Sequence, residues 1–251
     1  MASVIRCGTV LGVDGQPVGV EVDLLRRLPS VVIVGLPGGA VRESADRVRS
    51  AIQEAGFEFP KKRVVINLAP ADLPKAGTGF DLPIAIGILR ESEQIKTTLL
   101  ADTVFVGELS LEGRLKPVRG ILPLALMARA TGAARMVVAR ENAAEAAVVR
   151  GLEVLGAPDL ESVCNWLDGK GTLQVGQLTT AVAPPAGMDL SEVRGQHRAR
   201  RALEIAAAGG HNLLMIGSPG CGQRMPQGFS FASCGFQQRR SRVTGAENGS
   251  R

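Results

Sequence analysis

Residues 31–89 read VVIVGLPGGAVRESADRVRSAIQEAGFEFPKKRVVINLAPADLPKAGTGFDLPIAIGIL, and this stretch decides the fold. It opens on a short apolar run, the mark of a buried strand. The period then changes. Val41, Ala45, Val48, Ile52 and Ala55 step by four and three, one stripe of an α-helix, with charged residues on the other face. Glu43 and Arg47 stand four apart on that face, the spacing of a helical ion pair. Gly56 follows as a helix stop. A second apolar strand, RVVINLAP, leads into the Pro- and Gly-rich loop ADLPKAGTGFD and an apolar helix, LPIAIGILRES. Strand, helix, strand, loop and helix in this order predict an α/β layer structure.

The flanks extend the pattern. Ahead of it, β-branched runs lie on both sides of Asp14-Gly15, a hairpin signal. Behind it, TVFVGELSLEGRLKPV predicts a strand, a turn at Glu112-Gly113 and a short strand, and GILPLALMARATG a helix ending at Gly132. ARMVVA, ENAAEAAVVRG, LEVLGA and DLESVCNWLDG then alternate strand and helix to Asp168. Residues 169–187 carry no periodic stripe, end on Pro-Pro-Ala-Gly and predict a linker. Beyond it, Ser191 is placed to cap a helix that carries Ala199, Ala202, Leu203, Ile205 and Ala206 up to Gly209-Gly210.

The 251-residue chain is 45% hydrophobic and 21% charged, enough apolar material for a packed core. No run of 18 apolar residues occurs, so no membrane helix is expected. The N-terminus lacks a basic segment leading into an apolar one, and a cytoplasmic location is expected. The four cysteines, at 7, 164, 221 and 234, form no C-x-x-C pair and read as reduced thiols. The net charge of +5 is concentrated after Gly222, where five arginines face one acid, leaving +1 for residues 1–222. His197 and His211 have no partner at ligand spacing and read as structural. Lys61, Lys62 and Arg63 read as a charge cluster at a loop end, and Lys75 and Thr78 as a solvated loop. Arg194, Arg198, Arg200 and Arg201 could meet phosphates, but with Glu192 and Glu204 interleaved they read as a solvated helix face.

One stretch carries chemistry: LLMIGSPGCGQRMPQG, Leu213–Gly228. A phosphate-binding loop needs G-x-x-x-x-G-K-[ST] between a strand and a helix, so that backbone N–H groups cradle phosphate, lysine reaches the β- and γ-phosphates and a hydroxyl holds Mg2+. Gly217, Ser218, Pro219, Gly220, Cys221 and Gly222 fit the first six positions. Gln223 has no charge, and Arg224 has no hydroxyl for the metal. Residues 223–251 show neither helical nor strand periodicity and are expected to be disordered.

Residues 31–89, together with VRGQHRARRALEIAAAGGHNLLMIGSPGCG (193–222), closely resemble the magnesium-chelatase-like AAA+ ATPases, the ComM or YifB group. The resemblance runs from Val4 to Gly222 and stops at Gln223. It implies an α/β (α+β) N-terminal domain of the kind shared by Lon protease and ribosomal protein S5 domain 2, followed by the first helix and strand of a P-loop AAA+ domain. The expected boundaries are 1–168, a linker over 169–187, the ATPase start over 188–222 and a non-family tail over 223–251. The family implies ATP and Mg2+ as ligands, held by the loop 217–224, a homo-hexamer, and DNA as the partner of an ATP-driven branch migration in natural transformation. This chain then reads as a frameshifted or shortened member that does not hydrolyse ATP. A non-enzymatic assembly or docking module is the alternative. Laid against the Lon pattern, PKAGTGFD puts Gly79 at the nucleophilic serine, and GELSLEGRLKPVRGILPLALMARATG puts Leu124 at the dyad lysine. Neither supplies a hydroxyl or an amine, so no peptidase activity is expected.

Overall fold

The computed structural model describes residues 4–177, 195–209, 211 and 213. The chain divides into two units, Met1–Leu178 and Thr179–Arg251.

The first unit is a mixed α/β structure built on one eight-stranded sheet. Its strands are β1 (Val4–Leu11), β2 (Asp14–Leu25), β3 (Ser30–Val34), β4 (Arg63–Ala69), β5 (Thr103–Phe105), β8 (Arg135–Ala139), β9 (Glu153–Ala157) and β10 (Gln174–Val175), in the order β10-β9-β8-β5-β1-β2-β4-β3. A separate two-stranded ribbon joins β6 (Glu108–Leu109) to β7 (Leu115–Lys116). β1–β2, β2–β4 and β9–β10 are antiparallel, whereas β3–β4, β1–β5, β5–β8 and β8–β9 are parallel.

The first hairpin turns elsewhere than expected. Leu11 pairs with Asp14, so Gly12-Val13 is the two-residue loop, and Gly12 takes φ +65. Asp14 and Gly15 are already in the strand. Gly15 is there for approach, not for turning: a Cβ on it would land on the Pro123 carbonyl and 2.9 Å from Met127 Cβ. Both residues belong to helix α4 (Ile121–Ala130). Gly8 opens the same space, since its Cβ would lie 2.8 Å from Leu124 Cδ2. Two glycines on one face of the hairpin thus let α4 sit against the backbone.

The other face carries Ile5, Cys7, Val18, Val20 and Val22, all buried. Helix α3 (Asp81–Glu91) packs there, and every residue from Asp81 to Leu89 is buried. Such all-round burial requires the continuous apolar run seen in its sequence.

The helical stripe of residues 41–55 folds as two pieces, α1 (Gly39–Arg42) and α2 (Ser44–Glu54). The break at Glu43 has a local cause: Ser44 Oγ donates to Val41 O at 2.7 Å and competes with the helical ladder. The run after β8 is likewise shorter than expected, only α5 (Ala143–Ala146) after a 3-10 turn at Arg140–Asn142. Asn142 is engaged across the fold, donating to Val118 O and accepting from Val118 N. Helix α6 (Leu160–Leu167) starts under a cap, Asp159 accepting from Ser162 N at 2.8 Å. The segment expected as a linker begins differently: Gln174 and Val175 pair with Gly156 and Leu155 as edge strand β10. Residues 178–187 of that segment lie outside the described residues.

In the second unit the described residues form helix α7 (His197–Gly209), with Leu203 buried and Ile205 exposed. The expected cap at Ser191 lies outside the described residues.

Candidate functional site

The phosphate loop read from sequence, Gly217, Ser218, Pro219, Gly220, Cys221, Gly222, Gln223 and Arg224, lies outside the described residues, as do Arg194 and the tail 223–251. On α7, Arg201 Nη1 bonds Glu204 Oε2 at 3.1 Å on the exposed face, and Arg198 is exposed.

The loop between β4 and α3, residues 70–80, is where the Lon comparison places a nucleophile. A Cβ on Gly79 would meet Val106 Cγ1 at 3.1 Å and Val118 Cγ2 at 3.9 Å. Leu124 is 4% exposed and packs in the core beside Gly8. The two positions are walled by hydrocarbon, and neither residue offers a group that could activate a nucleophile.

Three charged residues around this loop are used in ways the sequence did not disclose. Arg47 does not pair with Glu43. Its Nε and Nη2 reach Asp81 Oδ2 and Oδ1 at 2.8 and 3.0 Å, and Nη2 also donates to Ala40 O at 3.1 Å. Asp81 Oδ2 accepts a further bond from Leu109 N at 3.1 Å. One buried carboxylate therefore ties α2, the start of α3 and the β6–β7 ribbon together. Burial pushes the Asp81 carboxyl up, against the pull of Arg47 and the Leu109 amide, while the bond to Asp81 raises Arg47. Thirty-four residues separate the partners, so local spacing pointed to Glu43 instead.

Lys75 and Thr78 correct the expectation of a solvated loop. Lys75 is 1% exposed, and Thr78 is half-buried. The Lys75 backbone pairs with the β3–α1 loop, donating to Leu36 O and accepting from Gly38 N. Its ammonium turns inward and donates to Pro70 O. Burial lowers its pKa, offset in part by Asp72. A base lowered in the folded state costs stability below its folded pKa, and the cost is relieved as pH rises from there towards the ordinary 10.5. The protein is therefore expected to gain stability relative to Lys75→Met between neutral pH and pH 10.5. Thermal melts of both proteins across that interval test this, and parallel curves would mean the buried ammonium is not the cause.

Cys7 and Cys164 are buried thiols, each pushed up to about 12 chiefly by burial, which makes them poor nucleophiles. Among the described residues no group of three His, Cys, Asp or Glu side chains is placed to hold a metal. No helix among them is long and apolar enough to cross a membrane.

Comparison with known proteins places these features. Residues 20–142 match the family described as subunit ChlI of Mg-chelatase, and residues 189–227 match magnesium chelatase, subunit ChlI. The second match runs past Gly222 and includes Gln223 and Arg224. The YifB protein of Escherichia coli K12 is 46% identical over 223 residues, covering 89% of this chain and 44% of that protein. The competence protein ComM of Haemophilus influenzae is 43% identical over 223 residues, covering 86% and 43%. A Lon protease of Chloroflexus aurantiacus is 29% identical over 147 residues, 54% of this chain and 18% of that protein. The chain belongs to the magnesium-chelatase ChlI-like family, in the group that holds YifB and ComM. The similarity to Lon protease is consistent with a Lon-like N-terminal unit. The chain spans less than half the length of the YifB and ComM proteins it matches.

Proposed function

We propose that this chain carries the Lon-like half of a ComM-type AAA+ ATPase, whose ancestral role is ATP hydrolysis coupled to DNA remodelling, branch migration in transformation included. Family membership supports ATP and Mg2+ as ligands, homo-hexamers as the working form and the cytoplasm as the place of action. The carrying observation is that the glycine frame Gly217–Gly222 stands inside the second family match while Gln223 and Arg224 occupy the lysine and hydroxyl positions. The glycine donors fit a phosphate, but the remaining donor set does not fit Mg2+·ATP. Glutamine brings no charge to the γ-phosphate, and a guanidinium cannot coordinate a cation. We therefore assign no hydrolysis to this chain.

A phosphate-release assay tests this directly. No Mg2+-dependent release above blank is expected. Gln223→Lys with Arg224→Thr is expected to tighten binding of a fluorescent ATP analogue about tenfold, the worth of one charge-assisted contact. Mg2+-dependent turnover by the unaltered chain would sink the reading.

The second reading, an assembly or docking module without enzymatic activity, is favoured by one observation. Among the described residues of the first unit, a hydrophobic core cluster runs from Ile5 to Leu173. Unaltered affinity for the ATP analogue in the Lys-Thr variant would favour it.

A further inference from the structure

The sheet register brings two separated basic segments to one corner. Leu25, the last residue of β2, pairs with Arg63, the first of β4, and Ser30, the first of β3, pairs with Arg63 from the other side. Arg26 and Arg27, which leave β2, therefore lie at the same end of the sheet as Lys61, Lys62 and Arg63, which enter β4. Arg26, Arg27, Lys61 and Lys62 are exposed, and Arg63 is half-buried. The Arg63 Nε is buried without a hydrogen-bond partner, so one donor of this guanidinium is unmet. Arg49 of α2 joins them, its guanidinium held 4.7 Å over the ring of Phe59, two residues before Lys61.

None of these six cations forms an ion pair among the described residues. Acids are present nearby in the chain, Asp23 on β2, Asp46 and Glu54 on α2, and Glu58 before β4, yet none engages them. Residues 1–222 carry a net charge of only +1, so six unpaired cations at one corner make a local excess.

We infer that this corner is a contact surface for the phosphate backbone of DNA. Neighbouring strands set their ends about 5 Å apart, a spacing that lets several cations meet a chain with one charge per about 3.4 Å of a single strand. A lipid surface fits less well. It needs an apolar face to insert, and here Leu28 alone among the nearby large apolar side chains is strongly exposed, while Phe57 and Phe59 pack on the core. A small anion fits less well too, because the cations sit on strand ends. Cavities of about 250 and 750 Å3 in this unit are lined by other residues. The inference rests on the DNA-directed reading above but needs no nucleotide site, so it is tested without ATP.

The experiment is fluorescence anisotropy of labelled single-stranded and duplex oligonucleotides with the full chain, from about 50 to 200 mM salt. The variant combines Arg26→Glu, Arg27→Glu, Lys61→Glu and Lys62→Glu. The control combines Arg119→Glu and Arg140→Glu, exposed cations that also form no ion pair. We expect the variant to bind at least about tenfold more weakly, with a salt slope shallower by about three, and the control to bind as the unaltered chain does. A second set with glutamine at the same four positions should show an intermediate loss, and matching melting temperatures keep folding out of the readout. Unchanged binding by the charge-reversed variant would assign DNA contact to other cations, the arginines after Gln223 included, and overturn the inference. So would no binding by the unaltered chain at low salt, or equal retention on anionic vesicles or polyglutamate. Loss of ATP binding alone would count only against the nucleotide reading.

Discussion

Replacing Asp81 by alanine is expected to lower the unfolding free energy by about 3 kcal/mol, read from urea denaturation. The Asp81 side chain is 1% exposed, and its removal strands both the Arg47 guanidinium and the Leu109 N–H. The Arg47 side chain is 21% exposed and can recover some hydration, which places the loss at the lower end of the range for breaking a buried pair. Asp81→Asn keeps an acceptor for both donors and should recover much of the loss. Glu43→Ala is the counter-test, since that exposed residue makes no hydrogen bond or ion pair with Arg47, and less than about 0.5 kcal/mol is expected. A larger effect at Glu43 than at Asp81 would restore the local i,i+4 pair as the working contact.

Gly15→Ala is expected to cost about 3 kcal/mol, and Gly12→Ala about 1 kcal/mol. The methyl at Gly15 would collide with the Pro123 backbone, which cannot swing aside as a side-chain end would, so α4 itself must shift. At Gly12 nothing stands within 4 Å, and the cost is only that of φ +65 for an L residue. Comparing the two unfolding midpoints decides between the turn at Gly12-Val13 and one at Asp14-Gly15. The reverse order of effects would favour the latter.

The same two residues show where sequence reading works and where it stops. Asp14-Gly15 between β-branched runs correctly announces a hairpin, since the runs on either side do pair. It misplaces the loop by two residues, because glycine serves turning and close approach equally well. Only the neighbour, here α4, distinguishes the two uses. Likewise the stripe from Val41 to Ala55 gives the helix and its buried face, with Val41, Val48 and Ile52 all buried. It does not give the break at Glu43, which depends on where one serine hydroxyl points. The loop ADLPKAGTGFD reads as polar and open, yet it is folded against the β3–α1 loop with its lysine inward. No local signal marks that, because the partners, Leu36 and Gly38, lie nearly forty positions earlier.

By itself the sequence determined the alternation of strands and helices, the family, and the departure of Gln223 and Arg224 from the G-x-x-x-x-G-K-[ST] pattern. These are written in periodicity and in residue identity at fixed spacing, which need no third dimension. The tertiary structure alone decided the sheet order, the Arg47–Asp81 pairing, the burial of Lys75 and the gathering of Arg26, Arg27 and Arg49 beside Lys61–Arg63. Each of these joins residues far apart in the chain, and strand register and packing, not sequence neighbourhood, set which of them meet.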